Sequence, residues 1–133
     1  MKEKPTTIDV LEGILYYMLK EADTYKFSSR HIDIQNATFK LIKETPELRK
    51  FFNFREERKY SRNLDNALFF LKLGQIIVRP SNPALRYYEI EKEKLEQIEQ
   101  HIKKNLPKRI LYSIEKGAKK IRETDEFKSL VKT

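Results

Sequence analysis

Two histidines, no cysteine and scattered carboxylates are the whole stock from which this chain could build a catalytic or metal centre. His31 and His101 fall on different expected helices, and neither has a metal-ligating partner at a useful sequence spacing. Without cysteine there is no thiolate ligand, no disulfide and no Cys nucleophile. No glycine-rich phosphate loop occurs. Carboxylate pairs such as Asp33 with Glu44, or Glu96 with Glu99, are what surface helices carry in any case. The expectation is a chain that is not an enzyme, with no metal and no cofactor.

Guanidinium and amide groups offer a different chemistry. Arg forks onto guanine and Asn onto adenine in the major groove. Arg and Lys grip phosphates, which adds affinity without specificity. Arg62, Asn63 and Asn66 sit at the start of an expected helix and could read base edges. Arg55, Arg58 and Lys59 just upstream could hold phosphates, unless Glu56 and Glu57 pair with them. Arg79, Asn82 and Arg86 lie around an expected hairpin tip, within reach of a minor groove or backbone. The net charge of +8 over 133 residues favours polyanions. Its excess is concentrated: residues 49–62 carry net +4 and residues 103–120 carry net +6.

The elements that must position these groups follow from periodicity. Thr6 with Asp9 is a weaker form of the capping box, opening an almost wholly apolar helix over about 8–22. Residues 23–26 read as a connection. Ser28 is the expected cap of a second helix ending near Glu44, with Phe27 and Ile32 as a hydrophobic staple. Pro46 restarts a short helix containing Leu48, Phe51 and Phe52. Residues 53–60 read as a loop. Ser61 caps a helix to Leu73 with Leu64, Leu68 and Leu71 inward, so Arg62, Asn63, Asp65, Asn66 and Phe69 or Phe70 lie outward or to the side. Gly74 ends it. Residues 75–79 and 85–90 then form a hairpin across Pro80–Ala84. Two helices, 91–105 and 109–123, carry narrow apolar stripes of the coiled-coil kind. Phe127, Leu130 and Val131 give the tail some packing capacity.

The stretch Ser61-Arg62-Asn63-Leu64-Asp65-Asn66-Ala67-Leu68-Phe69-Phe70-Leu71-Lys72-Leu73-Gly74-Gln75-Ile76-Ile77 resembles the recognition helix and first wing strand of winged helix-turn-helix regulators. Arg86-Tyr87-Tyr88-Glu89-Ile90 resembles the returning wing strand. The layout over residues 8–102 looks most like the PadR-type transcriptional regulators, which follow the wing with a dimerising helix. Two departures stand out. Gly74 comes one residue before its usual place, which Gln75 occupies, and residues 46–60 are long for a tight turn.

The resemblance implies a mainly α fold with a small β-hairpin, a winged-helix domain over 1–90 and a helical extension over 91–133. It further implies a double-stranded DNA partner and a homodimer through the C-terminal helices. A winged helix used as a protein-interaction module is the main alternative. RNA stacking on Tyr87 and Tyr88, or a membrane-surface role for the 103–120 helix, has less behind it. The polar start from Met1 to Thr7, without a signal-peptide core, leads us to expect a cytoplasmic chain. No small-molecule effector is identifiable.

Overall fold

The computed structural model describes residues 4–55 and 57–132. Thr6 opens the first helix: its hydroxyl accepts from the Asp9 N–H at 3.1 Å, and Asp9 accepts from the Thr6 N–H at 3.1 Å. The expected capping box is therefore closed. Helix α1 (Thr7–Ala22) is buried without interruption from Val10 to Leu19. It is the central rod, with later helices packed around it.

The link after α1 is not a plain connection, because it holds a strand, β1 (Lys26–Ser28). Helix α2 (His31–Glu44) starts later than expected, with Arg30 as its cap residue. The Ser28 hydroxyl instead accepts from the Arg30 N–H at 3.1 Å and donates to Asp33. No staple forms. Phe27 is buried beside the Tyr88 ring, 5.5 Å between centroids, while Ile32 is 56% exposed. The strand places Phe27 in the core, out of reach of the outer face of α2.

A 3-10 turn (Pro46–Leu48) leads into α3 (Arg49–Phe52). Arg55 and Tyr60 then pair across a tight turn, the Arg55 N–H donating to the Tyr60 carbonyl at 2.9 Å. Helix α4 (Arg62–Leu73) follows its expected Ser61 cap. Its exit differs in detail. Gly74 has an ordinary φ of −79°, and Gln75 takes the left-handed φ of 58°. The Gln75 N–H reaches the Lys72 carbonyl and the Ile76 N–H the Leu71 carbonyl, both at 3.0 Å, completing a Schellman motif.

Strand β2 (Tyr87–Glu89) runs antiparallel to β1, with Phe27 opposite Tyr88. On its other edge Val78 and Glu89 exchange two backbone hydrogen bonds of 2.9 and 2.8 Å. The spatial order is therefore 26–28, 87–89, 78. The expected hairpin is reduced to one rung on its first side. Gln75 and Ile76 are used in leaving α4, and Pro80 has no N–H to donate.

Helices α5 (Lys92–Asn105), α6 (Lys108–Ile121) and α7 (Asp125–Val131) complete the chain. Helices α5 and α6 pack against α1, α6 also against α2, and α7 against α2 and β1. Ile98, Ile102, Ile114, Ile121, Phe127 and Leu130 join the same hydrophobic cluster as α1. The contact with α2 is close at Gly117, where an added Cβ would lie 3.0 Å from Thr45 Cγ2 and 3.3 Å from Leu41 Cγ. The fold is mainly α with a small antiparallel β element, and one core runs through both 1–90 and 91–133.

Candidate nucleic-acid interface

Helix α4 is held at its N-terminus by a buried polar clamp. Ser61 Oγ accepts from the Leu64 N–H at 3.0 Å and donates to the Phe52 carbonyl. Gln35, only 4% exposed, reaches across from α2. Its amide accepts from the Ser61 N–H at 2.8 Å and donates to the Ser61 carbonyl and to Asp65 Oδ1, both at 2.9 Å. Asp65 therefore lies on the flank of α4 that faces α2. It also accepts from the Tyr60 hydroxyl at 2.7 Å and lies 3.5 Å from His31 Nδ1. That bond to Asp65 holds the Tyr60 phenol above its ordinary pKa. The clamp fixes how α4 stands relative to α2, the geometry any groove-reading helix requires.

With Leu64, Ala67, Leu68 and Leu71 buried, the outer face of α4 carries Arg62, Asn63, Asn66, Phe69, Phe70 and Leu73. The amide of Asn63 touches the Phe51 carbonyl at 3.4 Å, and Asn66 lines a shallow depression with Thr6, Thr7 and Phe70. The outer face is polar in its first turn and apolar beyond it. Phe69 and Phe70 are each 55% exposed and Leu73 is 63% exposed. Sequence periodicity allowed one outward Phe; both are outward.

The expected phosphate grip, Arg55, Arg58 and Lys59, sits exposed on the turn just before α4. Lys59 takes a left-handed φ of 49° and stacks its ammonium 6.0 Å from the Phe39 ring. None of the three forms an ion pair with a described residue. Glu57 forms none either, and Glu56 lies outside the described residues. At the hairpin, Arg79 lies 5.9 Å from the Tyr88 ring and Arg86 is exposed. Asn82 is committed locally, its side chain accepting from the Ala84 N–H at 3.0 Å. That bond shapes the turn and uses only the amide oxygen.

The structure brings together two groups that sequence spacing left apart. Arg49 and Lys50 of α3 share a cleft with Asn53, Phe54 and Arg109 from the first turn of α6. The two charge-rich stretches therefore converge. Arg49, Lys50 and Arg109 make no ion pair with a described residue. Glu47 beside them accepts from the Ser113 hydroxyl, which holds its carboxyl below the ordinary range. Arg55, Arg58, Lys59 and Arg62, all exposed, follow the cleft residues Asn53 and Phe54 directly in the chain. By contrast, Lys103, Lys119 and Lys120 are paired with Glu99, Glu115 and Glu44.

No helix among the described residues is long and apolar enough to cross a membrane. Compared with protein-family models, with curated proteins and with solved structures, the chain matches none.

Proposed function

We propose that this chain is a winged-helix DNA-binding protein, a transcriptional regulator by role, that offers the first turns of α4 to the major groove of a duplex. The observation that carries the reading is the basic band. Arg49, Lys50 and Arg109 share the α3 cleft, Arg55, Arg58, Lys59 and Arg62 follow in the chain up to the start of α4, and all seven are exposed and unpaired among the described residues. A phosphate backbone has the charge and extent to neutralise such a band. The strand order 26–28, 87–89, 78, with α4 leading into its outer edge, supports the wing. Fluorescence anisotropy on a labelled duplex of random sequence tests it: affinity should fall steeply with salt. Folded protein that binds no duplex at low salt refutes it.

Phe69, Phe70 and Leu73 favour a second reading, a protein-interaction module that uses the same helix. Replacing Arg62 and Asn66 together by Ala separates the two. A DNA reader loses discrimination between sequences, while an adaptor keeps its partner. The expected homodimer would need a surface other than the seams of α5 and α6, because those seams face α1 and α2. Sizing by light scattering decides whether a second copy binds.

A further inference from the structure

Sequence spacing gave His101 no metal partner, yet the fold supplies two. Asp9 and Glu12 stand one turn apart on α1, and His101 of α5 comes between them. His101 Nε2 lies 3.3 Å from Asp9 Oδ1 and 3.8 Å from Glu12 Oε1, and the three ligand atoms all fall within 4.8 Å of one another. Bonds of about 2.0–2.2 Å to a tetrahedral ion would place ligand atoms about 3.3–3.6 Å apart. The triad is close to that spacing before any adjustment.

Glu12 gives the independent indication. Its side chain is nine-tenths buried, and no described donor lies within hydrogen-bonding distance of its carboxylate; its nearest partner is His101. Asp9 is ready in another sense. Its Oδ2 is fixed by the Thr6 N–H, which leaves Oδ1 for His101 or an ion. The Asn105 amide nitrogen donates to the His101 carbonyl at 3.0 Å and lies beside the ring, 3.1 Å from Nδ1 and 3.2 Å from Nε2.

We propose that Asp9, Glu12 and His101 bind one divalent transition ion, Zn2+ foremost, as three protein ligands with a fourth position open. The imidazole nitrogen selects this class over Mg2+ and Ca2+, which take oxygen ligands throughout. Glu12 and His101 also line a groove with Phe70, Ile76 and Ile98, so the open position faces the flank of α4. A bound ion would cross-link α1 to α5.

The test is isothermal titration of the metal-free full chain with ZnCl2, followed by NMR of the histidine side chains. The expected result is one ion per chain, with the His101 imidazole resonances moving and those of His31 unmoved. His101→Gln and Glu12→Gln should each weaken binding more than about tenfold, since even an outer partner costs that much. His31→Gln should leave it unchanged. Absence of binding by the native chain overturns the proposal, as does binding that His101→Gln leaves intact. Should a variant fail to fold, Co2+ added to the native chain gives the answer. A tetrahedral visible spectrum supports the site, and the spectrum of the hydrated ion overturns it.

Discussion

Gln35 offers the most direct test of how α4 is held. Replacing it by Ala removes three hydrogen bonds at once. The Ser61 carbonyl keeps its helical bond from the Asp65 N–H at 3.3 Å, and Asp65 keeps the Tyr60 hydroxyl. The Ser61 N–H keeps nothing, since its partner was the Gln35 amide and Ser61 is fully buried. An orphaned buried donor costs about 1–3 kcal/mol, and the void left by the truncated side chain adds about 1 kcal/mol. Gln35→Ala should therefore cost about 2–4 kcal/mol in urea unfolding. Gln35→Met keeps the volume and loses only the polarity, so it should recover about the void's share. Gln35→Glu has a directional pH signature. A carboxylate there would face the Ser61 carbonyl and Asp65, so its folded pKa rises above its unfolded one. Its stability is then greatest in acid and falls as pH rises through the folded pKa. If Ala and Met both cost below about 0.5 kcal/mol, the clamp does not hold the helix and the reasoning fails.

Three further outcomes are expected. Gln75→Gly should stabilise the chain by about 0.5–1 kcal/mol in thermal unfolding, because glycine takes a φ of 58° without the Cβ penalty. Replacing Arg49, Lys50 and Arg109 by Gln should flatten the slope of log affinity against log salt for random duplex by about 2.7, at about 0.9 per lost phosphate contact. An unchanged slope removes the cleft from the interface. Gly117→Val should destabilise by more than about 1 kcal/mol in chemical unfolding, because α6 would have to move off Thr45 and Leu41. A gain in stability would show that the contact yields.

Local signals were the legible part of this fold. Thr6 with Asp9, and Ser61 before its Leu stripe, announce helices whose caps form as expected. Strand β1 was not legible, because three residues carry too little alternation and its partner lies beyond four helical segments. Nor was the bond between Asp65 and Gln35, which comes from a distant helix. The stripes of α5 and α6 had the width of a seam between copies, yet they close on α1 and α2. Periodicity reveals that a face is covered without naming its cover. The candidate site shows the same division. The basic residues on the 55–62 stretch are consecutive enough to stand out, whereas Arg109 joins Arg49 and Lys50 only through tertiary packing.

The position of α7 also bears on the order in which the molecule can be made. Phe127 and Leu130 cover β1 and the flank of α2, elements made some eighty residues earlier. Until β2 is synthesised, β1 has an unpaired edge, and until residues 125–131 emerge, α2 keeps an apolar side in water. Such a nascent chain has an open strand and an uncovered helix together, the surfaces that recruit holding chaperones and that seed aggregation when translation stalls. Completion of the N-terminal half of this fold thus waits for residues 125–131.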